Sequence, residues 1–240
     1  MEKGKLYLIP SPLGDYDPKL VMPQAVLDLL PHIHTYVVEE VRTARRYLSV
    51  AGLKGQIEGL DFHELNEHTD PRDIEAFAVL FDNGNDVGLI TEAGLPAVAD
   101  PGALLVALCH RIGVKVVPCV GPSSLMMALM GSGLNGQSFA FCGYLPAKTE
   151  ERRGALRNIE KRSAQLHQTE IFIETPYRND ALLCDAVKIL APKTRLTIAV
   201  DITLPDETIL TQSVAQWRSL LTSSNQPLIG KRPCVFLILA

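Results

Sequence analysis

The chain lacks the features that would place it in several common classes. No apolar run approaches the ~20 residues that cross a bilayer. The opening MEKGKLYLIPSPLGD offers only four consecutive apolar residues before Pro10, too few for a secretory signal. The five cysteines, at 109, 119, 142, 184 and 234, are scattered, odd in number and without a CxxC pair. They read as reduced core thiols of a cytoplasmic protein. No HxxxH pair occurs, and in His63-Glu64-Leu65-Asn66-Glu67-His68 a glutamate stands where the second histidine of HExxH belongs, so no metal is expected. A P-loop, a GxGxxG after the first strand and a GxSxG elbow are all absent. That disfavours nucleotide phosphates, the Rossmann dinucleotide mode and α/β-hydrolase chemistry. Excess positive charge is missing too: the net charge of −4 leaves only local basic patches for nucleic acid.

What remains is 240 residues, 47% of them apolar. That is enough to bury one large or two small cores, and it argues against disorder. Short apolar runs alternate with helical patterns. The runs at 5–9, 35–38, 87–90 and 114–120 read as strands, and 23–30, 39–48, 71–81 and 103–112 as helices. The stripe Ile74, Phe77, Ala78 and Phe81 makes 71–81 an amphipathic helix. Glu39 and Glu40 fall in the first turn of the second helix, where the dipole favours anions. Arg42, Arg45 and Arg46, at i, i+3 and i+4, share one face of it. After residue 118 the alternation loosens: strands are expected at 138–142, 170–173, 195–200, 207–210 and 234–239. The basic-rich segment 148–162 and the segments 179–190 and 214–221 read as helices. The expected architecture is α/β: an N-terminal domain over 1–118 and a C-terminal domain over 119–240, each a mixed or mostly parallel sheet flanked by helices.

One device recurs. Proline- and glycine-bearing loops follow strands at 10–14, 91–96, 121–124 and 174–176. Such loops expose backbone amides and carbonyls, and in open α/β sheets ligands sit beyond the carboxyl ends of the strands. Ser123 and Ser124 at a helix start are caps first and an anion site second. The residues alone therefore give a two-domain α/β protein that grips a small polar molecule by its backbone in an inter-domain cleft.

Taken in order, LYLIPSPLGD, VEEVRTARRYL, FHELNE, TEAGLPAVADPG, VVPCVGPSS, FCGYLP and ETPYR resemble the tetrapyrrole methylase superfamily, and within it the branch of small-subunit ribosomal RNA methyltransferases. The resemblance covers nearly the whole chain. It implies S-adenosylmethionine as cofactor, a homodimer, and methyl transfer to a ribose 2′-oxygen of ribosomal RNA in the small subunit. It also assigns cofactor positions to Pro10, to Gly94, Leu95, Pro96 and Val98, to Ser123 and Ser124, to Glu174 and Thr175, and to Ala199 and Pro233. Some positions depart from the branch: Glu39-Glu40-Val41-Arg42 stands for its Glu-Asp-Thr-Arg, and Thr91-Glu92-Ala93-Gly94-Leu95-Pro96 for its Ser-Asp-Ala-Gly-Thr-Pro.

A ribose hydroxyl is weakly acidic, so transfer to it gains from a general base. Glu40 and His63 are the candidates, with Glu64 and Glu92 behind them. Arg42 and Arg45 are candidates for holding a phosphate. Two alternatives stand beside this reading: a methyltransferase acting on a tetrapyrrole or other small molecule, and a non-catalytic cofactor-binding protein associated with the ribosome. Against the tetrapyrrole, the first loop keeps only Gly14-Asp15 of the Gly-x-Gly-x-Gly-Asp typical of those members.

Overall fold

The computed structural model describes residues 2–223 and 228–240. The chain folds as two compact units, residues 1–123 and 124–240.

In the first unit five strands form one sheet: β1 (Lys5–Ile9), β2 (Thr35–Val38), β3 (Asp61–Glu64), β4 (Val87–Ile90) and β5 (Lys115–Pro118). Their order is β3-β2-β4-β1-β5, and every pairing is parallel. An all-parallel sheet must be covered on both faces, and the apolar residues divide accordingly. Ile9, Tyr36, Val38 and Ile90 pack with α1 (Gln24–Leu29), α2 (Val41–Leu48) and the π turn Ser49–Leu53. Leu6, Val37, Val87 and Leu89 pack with α3 (Gly102–Ile112) and the segment Pro71–Gly84. The central strands β2 and β4 are buried along their whole length. This is why they read as continuous apolar runs rather than alternations.

The segment expected as an α-helix over 71–81 is a 3₁₀ helix, Pro71–Gly84, broken at Asp82 and Asn83. In three-residue turns positions 74, 77 and 80 line up. Phe77 and Leu80 are thus half-buried against the core that holds Ile74 and Phe81, so the apolar stripe still faces inward although its period differs.

The second unit holds β6 (Phe139–Tyr144), β7 (Thr169–Ile173), β8 (Arg195–Val200), β9 (Thr208–Ser213) and β10 (Cys234–Leu239), in the order β6-β7-β10-β8-β9. β6 and β7 are parallel and the other pairs antiparallel. The helices are α4 (Ser124–Ser132), α5 (Thr149–Leu166), α6 (Asn179–Ile189) and α7 (Val214–Ser223). A single core gathers Leu156, Leu182, Phe172, Phe236 and Trp217. The rings of Phe172 and Phe236 stack at 5.7 Å, and the Trp217 indole donates to the Leu196 carbonyl at 2.8 Å.

The basic helix α5 uses most of its charge internally. Arg152 and Arg153 both bind the buried carboxylate of Asp185, each through Nε at 2.9 Å. Arg162 binds the fully buried Glu170, and Lys148 pairs with Glu151 at 3.2 Å. Among the described residues Arg157 and Lys161 are left without an ion pair on this helix. No helix among the described residues is long and apolar enough to cross a membrane.

Gly88 on β4 lies where the Tyr36 ring and Ile9 meet. A Cβ there would come within 2.8 Å of both side chains. Gly88→Ala is therefore expected to destabilise the protein by about 1–3 kcal/mol through overpacking. The measurement is the urea midpoint at an unchanged denaturant slope.

Candidate active site

A parallel sheet in the order β2-β4-β1 brings the carboxyl ends of these three strands side by side. The loops that leave them are tied together. Ser11 and Gly94 exchange backbone hydrogen bonds, N–H to O at 2.9 and 3.1 Å. The Ser11 hydroxyl donates to the Thr91 carbonyl at 2.6 Å, and the Tyr47 hydroxyl to the Pro10 carbonyl at 3.0 Å. Gly94 has φ +79°, a conformation open to glycine at no steric cost. Ala97 and Ala99 also lie in the left-handed region, at φ 64° and 62°. Asp100 holds this strained turn: its carboxylate accepts from the amides of Ala97 at 2.9 Å and Gly102 at 2.7 Å. Burial pushes the Asp100 carboxyl upward, with a smaller contribution from the nearby charge of Glu39, and the amides partly offset this.

These loops and the start of α2 enclose a cavity of about 210 Å³ within the first unit. Its apolar lining includes Leu13, Val38, Tyr47 and Ile90. Its charged lining is Asp15, Glu39, Glu40, Glu92 and Arg46, and Arg46 is paired with Asp15. The cavity is therefore acidic, and its one cation is already neutralised.

The expectation that both glutamates sit in the first turn of α2 is corrected. The helix begins at Val41, and Glu40 is its N-cap. Its carboxylate accepts from the Arg42 amide at 2.9 Å and from the Thr43 amide and hydroxyl at 2.6 and 2.7 Å. These bonds, the Thr43 hydroxyl foremost, hold its carboxyl below the usual glutamate range. Glu39 is engaged differently. Its Oε2 accepts from the Thr91 hydroxyl and the Glu92 amide, both at 2.8 Å. The carboxylate thereby links the end of β2 to the end of β4.

His63 and Glu64 are outside this cavity. They belong to the edge strand β3 rather than to a loop after it. His63 Nε2 lies 2.7 Å from an Asp61 carboxylate oxygen, and its ring meets Phe77 edge-on. Of the arginine face, Arg45 pairs with Glu58 and lies over the Phe62 ring at 5.9 Å, and Arg46 pairs with Asp15. Arg42 is exposed, with no ion pair among the described residues.

The second unit gathers its own candidates. β7 and β8 both run antiparallel to β10, so the ends of β7 and β8 lie beside the start of β10. Glu174 and Thr175 follow β7, Ala199 pairs with Val235, and the Asp201 amide donates to the Pro233 carbonyl at 3.1 Å. Ser124 opens α4. The Glu174 side chain is fully buried. Its Oε1 accepts from the Thr175 amide at 2.7 Å and from Arg178 at 2.6 Å. Its Oε2, Arg178 Nε and Asn179 Oδ1 have no partner among the described residues. Buried polar atoms are rarely left unpaired without a reason. Sequence reasoning passed over Glu39, Asp100, Arg178 and Asn179. Only Asp100 had a local signal, the Asp-Pro-Gly that follows the turn.

A family model described as Tetrapyrrole (Corrin/Porphyrin) Methylases matches residues 22–217. The chain belongs to this family. It is similar to the ribosomal RNA small subunit methyltransferase I of Vibrio cholerae serotype O1, 32% identical over 211 residues that are 88% of this chain and 69% of that protein. It is also similar to the protein of the same name from Pseudomonas aeruginosa, 29% identical over 238 residues, 99% of this chain and 79% of that one. Two solved structures share the methylase fold. One is the methyltransferase CobJ, with a TM-score of 0.62 at 15% identity over 98% of this chain and 94% of that one. The other is the uroporphyrin-III C-methyltransferase of Thermus thermophilus complexed with S-adenyl homocysteine, with a TM-score of 0.53 at 17% identity over 98% and 97%.

The Glu40 cap carries a pH signature. Its folded pKa lies below its unfolded value, so the cap stabilises above the ordinary glutamate range of ~4.3 and is lost as pH falls through the lower folded value. Glu40→Ala is expected to lower the melting temperature at pH 7, and the gap to wild type to narrow as the pH falls below the ordinary glutamate range. Thermal melts across that range check it.

Proposed function

We propose that the protein is an S-adenosylmethionine-dependent methyltransferase acting on ribosomal RNA of the small subunit, at a ribose 2′-hydroxyl. The observation that carries the reading is the match to the ribosomal RNA small subunit methyltransferases I, extending over 88% of this chain at 32% identity. The chemistry of the cavity supports it. Three carboxylates without an ion pair among the described residues, Asp15 being taken up by Arg46, suit a ligand that donates hydrogen bonds, such as a nucleoside.

The residues present suit the cofactor. When bound, S-adenosylmethionine supplies an electrophilic methyl group carried on a sulfonium. In the first unit the candidates for holding it are Pro10, the turn Gly94, Leu95, Pro96 and Val98, and Ser123. There the positive φ of Gly94 lets the backbone approach a ligand closely. In the second unit they are Ser124, Glu174, Thr175, Ala199 and Pro233. The unpartnered Oε2 of Glu174 suits a hydroxyl or amine, which the cofactor has. Asp100 keeps the first turn in shape before any ligand arrives, so less ordering remains for binding to pay for.

Among the base candidates Glu40 is committed to the helix start, and Glu92 is exposed at the cavity. Arg42 is the open cation for a phosphate, with Arg45 beside it. The protein works as a homodimer in the cytoplasm, where its substrate is. The second unit exposes Met130, Phe139 and Phe141 at 81%, 42% and 37%, which a partner copy would cover.

The direct test is transfer from labelled cofactor to 30S subunits, naked ribosomal RNA and tetrapyrroles. Label in RNA at a ribose is expected, and label in a tetrapyrrole alone would overturn the reading. Calorimetry should also show cofactor binding by the wild type and its loss in Gly94→Val, because a β-branched residue at φ +79° strains the turn.

Arg42→Ala combined with Arg45→Ala is expected to weaken RNA binding and to lower its salt slope by about 1 for each phosphate no longer bound. The Arg45 share is the smaller, since Glu58 already competes for it. Cofactor affinity should stay at the wild-type value. Filter binding across a salt series is the measurement.

A further inference from the structure

We infer that Glu39, and not its neighbour Glu40, is the group that takes the proton from the acceptor hydroxyl. This rests on the reading of the protein as a methyltransferase acting on an RNA hydroxyl.

The two glutamates are adjacent in sequence and both line the cavity, yet their carboxylates are used in different ways. Glu40 has both oxygens occupied: Oε1 accepts from the Arg42 amide, and Oε2 from the amide and hydroxyl of Thr43. A carboxylate that accepts three bonds at its start-of-helix position is a weaker base and is committed to the cap. Glu39 is half engaged. Its Oε2 is fixed by the Thr91 hydroxyl and the Glu92 amide, and its Oε1 accepts no hydrogen bond from any described residue. A base held in orientation by one oxygen and open at the other has the geometry that proton abstraction asks for. Glu92 also lines the cavity, but its side chain is exposed and no hydrogen bond from a described residue orients it.

The charged and titratable groups around Glu39 come from three parts of the first unit. Glu40 caps α2 and Arg46 lies on it, Asp15 and Tyr16 belong to the loop after β1, and Glu92 and Asp100 to the loop after β4. Arg46 is taken up by Asp15, so no free cation among the lining residues offsets the charge of Glu39. In the step proposed, the acceptor O–H bond breaks and its proton goes to Glu39 Oε1. The oxygen keeps the electron pair and uses it to bond the methyl carbon. The pair of the methyl's former bond to sulfur stays on the sulfur, which leaves as a neutral thioether.

The test is the single-turnover rate on 30S subunits, or on whichever ribosomal RNA substrate the wild type labels, as a function of pH. Glu39→Gln keeps an oxygen to accept from Thr91 and Glu92. It is therefore expected to fold, with a wild-type melting temperature and wild-type cofactor affinity by calorimetry. Its rate should fall by about 10²–10³-fold and lose the ascending acid limb shown by the wild type. Glu39→Asp, which retains a carboxylate, should keep the limb at an intermediate rate. Carboxyl NMR of the wild type against Glu39→Gln identifies the Glu39 resonance, and its titration midpoint should coincide with the kinetic limb. A Glu39→Gln rate within about threefold of the wild type, or a limb that persists in it, overturns the assignment alone. A wild type that labels no ribosomal RNA overturns the proposed function and this assignment with it.

Discussion

Two backbone hydrogen bonds between Ser11 and Gly94 close the loop after β1 onto the loop after β4. Most of the site in the first unit follows from this pairing. It requires a left-handed residue at 94, which glycine supplies, and it sets the direction in which Leu95 and Pro96 leave. It also places the Ser11 hydroxyl on the Thr91 carbonyl and so leaves the Thr91 hydroxyl for Glu39. Gly121 completes the cluster: a Cβ there would fall 2.3 Å from the Pro10 ring, so the loop after β5 can close in only with a glycine. Each bond is modest in net worth, but each is made by a group that would be expensive to bury unpaired.

The second unit reaches its order by another route, through buried charge. Asp185 serves two arginines and Glu170 serves one, and these pairs join α5 to α6 and to β7. Breaking such a pair is costly because the surviving partner stays buried and uncompensated. Against this background of satisfied groups, the open oxygen of Glu174 is an exception, and it lies at the one end of the sheet where the ends of β7 and β8 meet the start of β10.

The fold was largely legible in the sequence because strands buried on both faces are short, apolar and continuous: 35–38, 87–90 and 234–239 stand out by composition alone. The start of α2 was misplaced by two residues for a physical reason. Glu39 and Glu40 look alike to any pattern, and only the direction of each carboxylate separates a cap from a link between strands. The segment 71–84 misled because an apolar stripe in a three-residue turn resembles one in an α-helix over so short a span. His63 was named a base candidate, yet it lies on the edge strand β3 outside the cavity, since polar residues on an edge strand carry no local sign of where they face. The partners Asn179 and Asp185 were out of reach, since their contacts depend on tertiary placement, whereas Asp100 acts on its near neighbours Ala97 and Gly102. The basic face of α5 shows the same limit: Arg152 and Asp185 are 33 residues apart, and nothing local announces that a helix of cations is largely neutralised from within.

The strand order has a consequence for how the chain is made. β1 is synthesised first but is flanked in the sheet by β4 and β5. Its earlier partner, β4, is made roughly 80 residues later, which at ribosomal speeds is a wait of about 4–16 s. During that interval β2 and β3 can pair with each other while the hydrophobic β1 has no neighbour. The first unit therefore completes its sheet late, and the nascent chain carries an unsatisfied strand edge for most of that time. For this topology, the period spent emerging from the ribosome is the one of greatest exposure to aggregation.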